Sequence, residues 1–172
     1  RVKIELHKKD REILEVFQKE IQTNSPIKDV IREEKYEHSI LNINSRYLVN
    51  TLKDKYSLFA NKSMTMNSNV IKNIPEKYIY HFLRGYFDGD GNITYGVKYS
   101  SGTKYLVQII GTQDFLENTF DKYFETNCSL YKYKTCNMFC WKISKKSQVD
   151  SFINLLYRDS NIYLKRKYKV LM

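Results

Sequence analysis

Residues 82–91 read Phe82-Leu83-Arg84-Gly85-Tyr86-Phe87-Asp88-Gly89-Asp90-Gly91. The stretch opens as an apolar, helix-forming run and closes on alternating glycines and carboxylates, so it packs on one side and presents an acid at its tip. Just upstream, Pro75 fixes its own φ for a first helical turn, and Glu76 sets negative charge near the positive end of the helix dipole. The expected helix covers residues 76–88, followed by a glycine-carboxylate turn. Gly85 and Gly89 stand four residues apart on one face of it, where missing side chains let a second helix approach closely. Each glycine costs roughly 1 kcal/mol of helix propensity, which points to a packing reason for both. Asp88 and Asp90 lie at the negative end of the dipole, and a bound divalent cation reverses that penalty. A calcium loop does not fit. Starting it at Asp88 puts Ile93 at the glycine position and Tyr99 at the final glutamate, while aligning on Gly91 makes Tyr86 and Val97 the terminal ligands.

The nine residues from Leu83 to Gly91 resemble the LAGLIDADG motif of homing endonucleases. In that family two such helices pack through their small residues, and the last acid of each motif binds catalytic metal. The resemblance therefore implies that Asp90 is a metal ligand and catalytic residue, with Gly89 beside it in the metal-binding set. It implies Mg2+, or another divalent cation such as Mn2+ or Ca2+, as cofactor.

The whole chain supports a nucleic-acid partner. A length of 172 residues suits one domain or two small fused repeats, and 42% hydrophobic with 28% charged residues is ordinary globular composition. The formal net charge of +10 is not ordinary, and it points to a polyanion, with double-stranded DNA ahead of a membrane surface. No long apolar run, signal peptide or lipidation motif is present, so the expectation is a soluble intracellular, cytoplasmic protein. Cys128, Cys136 and Cys140 lack paired zinc-ligand spacing and are expected as reduced thiols. His7, His38 and His81 are scattered, with no catalytic triad pattern around them.

Residues 1–7 alternate polar and apolar and predict a half-buried strand. Asp10 is then placed to cap a helix over 11–22 carrying Ile13, Leu14, Phe17 and Ile21. Strands follow at 27–32 and 38–44, and a helix at 45–55. After the motif the same order returns, with a hairpin of 92–97 and 105–110, a helix over 114–124, strands at 130–134 and 138–144, and a helix over 148–157. In this alignment Val2-Lys3-Ile4-Glu5-Leu6 matches Tyr105-Leu106-Val107-Gln108-Ile109, and the region of Lys62 matches that of Lys165. The expected organisation is a first repeat over 1–74, lacking its opening motif helix and first strand, and a second over 75–172. The family comparison implies a partner for the motif helix. Truncation of an upstream segment is the favoured explanation, ahead of a lost first motif or of pairing with a second chain.

The fold class expected is α+β: tandem αββαββα repeats with saddle-shaped antiparallel sheets and helices on the opposite face. In the family a lysine from each repeat lies beside the metals, and the matching positions are Lys62 and Lys165, with Lys167 an alternative register. Lys165, Arg166 and Lys167 also form a basic edge suited to phosphates. Along the strands, Lys104 and Gln108 alternate with Tyr105, Val107 and Ile109; Lys132 and Lys134 alternate with Tyr131 and Tyr133; and Lys142 lies between Trp141 and Ile143. Together with Lys98, these polar residues are the expected DNA contacts, on a sheet face suited to the major groove. The expected activity is metal-dependent cleavage of a long double-stranded DNA site. The competing expectation is a non-catalytic DNA-binding regulator or an RNA-binding intron maturase of the same fold, and a third is an intein's nuclease insert.

Overall fold

The structure is a computed structural model and describes residues 1–171 apart from Glu34, Asn127, Ser129 and Thr135. The chain divides into two compact units, Arg1–Leu52 and Lys53–Met172. This division lies upstream of the 74/75 repeat boundary read from the sequence, since residues 53–74 pack with the second unit.

In the first unit, β1 (Val2–His7), α1 (Arg11–Glu20), β2 (Ile27–Arg32) and β3 (Tyr36–Ile43) form an antiparallel sheet of order β1-β3-β2 with a helix on one face. The register sets Ile4 opposite Leu41 and Leu41 opposite Ile27. Because side chains alternate across a strand, that row faces α1 and meets Leu14 and Phe17. α2 (Arg46–Tyr56) begins in this unit, where Leu48 joins the same core, and runs past the division. Two sequence expectations change here. Asp10 is buried and makes no capping hydrogen bond to α1; a 3-10 turn over Lys8–Asp10 precedes the helix instead, with His7 Nδ1 accepting from Lys9 N. α1 ends at Glu20 rather than residue 22, where Gln22 takes a left-handed φ of 51°.

The second unit starts with the short α3 (Lys62–Thr65) and two 3-10 turns, Ser68–Ile71 and Glu76–Tyr78. α4 (Ile79–Asp90) follows and passes directly into β4 (Gly91–Tyr99). Next come β5 (Gly102–Gly111), a helical segment built of α5 (Gln113–Leu116), a π turn (Glu117–Asp121) and α6 (Lys122–Phe124), then β6 (Tyr131–Lys132), β7 (Phe139–Ile143), α7 (Lys146–Tyr157) and α8 (Lys165–Tyr168). The sheet order is β4-β5-β7-β6, all antiparallel. Its last three strands have the connectivity of β1-β3-β2, with a helix after the first strand of each set and another after the last.

The sequence placed the motif helix at 76–88 and a turn after it. The α-helix instead covers Ile79–Asp90, with Pro75 at the start of the preceding 3-10 turn, so both carboxylates are helical. The helix expected over 114–124 is interrupted by the π turn, and the strand expected at 130–134 is regular at Tyr131–Lys132, with Tyr133 N–H also bonded to Met138 O at 2.9 Å. Ser129 and Thr135 lie outside the described residues.

One face of the sheet carries Ile93, Val107, Ile109, Trp141 and Ile143, which pack with Phe87 of α4, Phe115 and Phe120, and Phe152 of α7. Trp141, Phe87, Phe120 and Phe152 are fully buried, with the Trp141 and Phe152 rings 5.6 Å apart. This cluster holds α4 against β4 and β5, so the fold aims the motif helix. Truncation at its centre should be severe: Trp141→Ala is expected to cost about 3–5 kcal/mol, measured as a lower denaturant midpoint with an unchanged slope.

Candidate active site and nucleic-acid interface

Asp88 and Asp90 are two residues apart on one helix, which places them on opposite sides of it. Asp88 points into the protein and Asp90 out of it. Asp88 is 9% exposed; its Oδ2 accepts from Leu164 N at 3.0 Å and its Oδ1 from the Tyr157 hydroxyl at 3.3 Å. Burial raises its pKa, opposed by the Leu164 N–H and by the charges of Lys167 and Arg84. Arg84, one turn earlier, is also buried. It donates to Ile162 O and Leu156 O, each at 3.0 Å, and its remaining nitrogen lies 2.7 Å from His81 Nδ1. A guanidinium only donates, so His81 Nδ1 accepts. Arg84 and Asp88 thus tie the motif helix to the segment that follows α7.

Asp90 is the exposed acid. Its Oδ2 accepts from Lys62 Nζ at 2.7 Å, with side-chain exposures of 36% and 51% for acid and lysine. Lys62 opens α3 and its ammonium also lies 5.3 Å from the centre of the Tyr86 ring, whose hydroxyl donates to Ile110 O at 2.9 Å. Two predicted site residues separated by 28 positions therefore meet. Lys165 is the first residue of α8 as Lys62 is of α3, and both it and Arg166 are exposed.

Lys167 corrects the sequence reading. It is 6% exposed and cannot line a phosphate-binding edge as Arg166 can. Its ammonium donates to Phe87 O at 2.5 Å and Gly91 O at 2.6 Å and lies 4.7 Å from the centre of the Phe87 ring. Those carbonyls bracket the last turn of α4, where a cation is favoured by the helix dipole. The missed signal was spacing: Leu164, Lys167 and Tyr168 fall on one side of a helix, so Lys167 belongs to the buried face of α8.

The glycines divide by role. Nothing lies within 4 Å of where a Cβ would sit on Gly85 or Gly89, so the face expected to pack on a second helix is open among the described residues. At Gly91 a Cβ would strike the Phe87 ring and its carbonyl oxygen. This glycine lets the chain turn from helix to strand under the Lys167 ammonium.

The sheet face opposite the core carries part of the predicted DNA contacts. Asn92, Gln108 and Lys142 stand in one cross-strand row, and the next row holds Ile110, Cys140 and Tyr131. Gln108, Tyr131, Lys132, Tyr133, Cys140 and Lys142 line a shallow hollow of about 240 Å³. Here the expected alternation on β6 is reversed: Tyr131 shares the face of Gln108, whereas Lys132 pairs with Phe139, its ammonium 5.9 Å from that ring's centre. Lys104 lies on the Gln108 face, near the Tyr99 ring. Lys98 does not, because an irregularity between Thr94 and Val97 shifts the register and sets it opposite Thr103. Lys134 is exposed beyond β6. The three cysteines are free thiols, and burial pushes Cys128 up to about 11. No helix among the described residues is long and apolar enough to cross a membrane.

No protein-family model and no curated protein sequence matches the chain. Solved structures do. The LAGLIDADG homing endonuclease I-GzeII in complex with its DNA target matches with a TM-score of 0.64 at 12% identity, over 98% of this chain and 76% of that one. The chain has the fold of the LAGLIDADG homing endonucleases. I-SmaMI bound to cleaved DNA matches at 0.61 and 13% identity, over 98% and 75% of the two chains. The meganuclease I-AabMI bound to uncleaved DNA matches at 0.62 and 16%, over 98% and 77%. In this fold the helix that carries Asp90 is α4, and the open sheet face is the one described above.

Substitutions at the helix end should separate these roles. Lys167→Met is expected to destabilise the protein by about 2 kcal/mol, because the ammonium's bonds to Phe87 O and Gly91 O are lost. Gly91→Ala should also destabilise, whereas Gly85→Ala and Gly89→Ala should leave this chain as stable or up to about 1 kcal/mol more so. Denaturant unfolding of the four variants checks the set.

Proposed function

We propose that this chain binds double-stranded DNA and takes part in metal-dependent hydrolysis of its phosphodiester bonds, with Asp90 as metal ligand and Lys62 as its catalytic partner. The observation that carries the reading is the Lys62–Asp90 pair at the exposed end of α4. A carboxylate and an ammonium there, bordered by a basic strand face, suit a phosphate substrate. The DNA complexes of the structural neighbours support the same partner.

The donor set fits a hard divalent cation. Asp90 offers a carboxylate and Gly89 a carbonyl from the last helical turn, whose final C=O groups lack helical partners. Among the described residues no three His, Cys, Asp or Glu side chains converge, so a cation at Asp90 would need water and substrate oxygens to complete its shell. One neighbour, I-SmaMI, is bound to uncleaved DNA in the presence of calcium ions. A divalent cation supplies charge neutralisation at the phosphoryl oxygens and a water of lowered pKa. Lys62, which bonds to Asp90 Oδ2, would stand beside a cation held there and would orient a water or donate to negative charge developing on a phosphoryl oxygen. A double lysine-to-alanine variant of I-SmaMI is another structural neighbour, which supports attention to lysines in this fold. Lys165 holds the matching place in the second repeat. The buried Lys167 acts by fixing the helix end.

The shared connectivity of β1-β3-β2 and β5-β7-β6 supports the duplication, with repeats over 1–74 and 75–172. In this reading the open Gly85 and Gly89 face of α4 receives a second motif helix, from an upstream segment or a second copy. A binding-only role is the other reading, favoured by the ammonium of Lys62 standing where Asp90 would meet a cation.

The test uses duplexes recovered from a random-sequence pool by the full chain. With Mg2+, Asp90→Asn should abolish nicking while keeping affinity, and Lys62→Ala should slow it by roughly 100-fold. Tight binding without Mg2+-dependent nicking by the unaltered chain would establish the binding-only role.

A further inference from the structure

Lys62 and Lys167 each stand over an aromatic ring of the motif helix, and each also bonds to the residue four positions beyond that ring. Lys167 lies over Phe87 and donates to Gly91 O; Lys62 lies over Tyr86 and donates to Asp90 Oδ2. Residues four apart are neighbours on a helix face, so Tyr86 and Asp90 offer one ammonium two contacts side by side. The buried pair closes the helix end, and the exposed pair leads to the acid.

The Tyr86 ring is held more firmly than filling the core requires. Its centre lies 4.5 Å from that of Phe115 and 5.8 Å from that of Phe120, and its hydroxyl donates to Ile110 O at 2.9 Å. Gly111 leaves room for the hydroxyl, since a Cβ there would lie 2.9 Å from its oxygen. An aliphatic side chain would serve the core; a ring fixed in orientation also serves a cation above it. The backbone beside Lys62 is fixed from the same place, because Thr112 Oγ1 donates to Met66 O and Asp114 Oδ2 accepts from Ser68 N at 2.7 Å. The junction of β5 and α5 therefore sets both sides of the contact between Lys62 and Tyr86.

The two contacts of the ammonium answer differently to a divalent cation. A hard cation takes oxygen ligands, so at Asp90 it competes for the oxygen that Lys62 holds, and its charge repels the ammonium. It has no comparable claim on the ring face, which attracts the ammonium through the ring quadrupole. The ring is the contact that survives when the carboxylate is taken.

We propose that Tyr86 is a positioning residue: its ring keeps the Lys62 ammonium beside the end of α4 once a divalent cation occupies Asp90. The inference rests on the cation reading above and adds how the lysine stays in place when that cation displaces it from the acid. Tyr86 touches no reacting atom and acts through Lys62.

The test is a Ca2+ titration of the full chain carrying 13C-labelled lysine, followed by NMR. A methylene beside an ammonium over a ring face is shielded, so Lys62 should give an upfield Hε resonance, identified by its loss in Lys62→Gln. In the wild type it should stay upfield at saturating Ca2+, and Tyr86→Phe should keep it there. Tyr86→Leu should return it to the position of a solvated lysine without weakening Ca2+ binding. With Mg2+ and a recovered duplex, Tyr86→Leu should lower kcat about three- to fivefold at unchanged KM, and the ring of Tyr86→Phe should recover most of that loss. Weakened Ca2+ binding by Tyr86→Leu would mean that the ring only supports the helix end, and would overturn the proposal. So would a wild-type resonance that moves to the solvated position as Ca2+ saturates, a result that needs no variant to fold and leaves the hydrolysis reading standing. A spectrum unchanged by Ca2+ at every concentration overturns the cation reading and this inference with it.

Discussion

A single buried ammonium governs the end of the motif helix. Lys167 donates to two carbonyls that bracket the last turn of α4, and it sits close enough to influence Asp88. Burying a cation is costly unless its donors are satisfied. The carbonyls, the Phe87 ring and the nearby carboxylate meet that demand, and in return the helix end is fixed. Because Arg84 and Asp88 anchor the same helix from beneath, its exposed acid has a defined position before any ligand arrives.

The two carboxylates show how one short sequence supports both structure and chemistry. Their spacing sends one into the protein and the other outward, and their partners follow from that. Asp88 meets backbone and a tyrosine in a dry setting, where removing either partner would strand a polar group. Asp90 meets a half-exposed lysine, an interaction that solvent screens. The inner acid is held by the fold, and the outer one is left facing solvent.

Much of this was legible in the sequence because it depends on local periodicity. The strand at residues 27–32, the helices near 45–55 and 148–157, and the apolar parity of Val107, Ile109 and Trp141 all follow from side-chain alternation, and the structure has them. The union of Lys62 with Asp90 was reached through family resemblance rather than spacing. What escaped depends on tertiary packing. The basic run from Lys165 to Lys167 looks like a solvated edge until the phase of α8 is known, and that phase turns Lys167 alone inward. The alternation on β6 failed because two paired residues are too few to fix a face without the register of β7. The π turn over Glu117–Asp121 has no marker in composition at all.

Finally, α4 passes into β4 with no loop between Asp90 and Gly91. Loops absorb displacement, and here there is none to do so. The acid and the first strand of the sheet form one continuous lever, so a displacement of that strand is passed directly to the carboxylate. Altering Asn92 would therefore disturb the acid as well, whereas Lys142 lies two strands away.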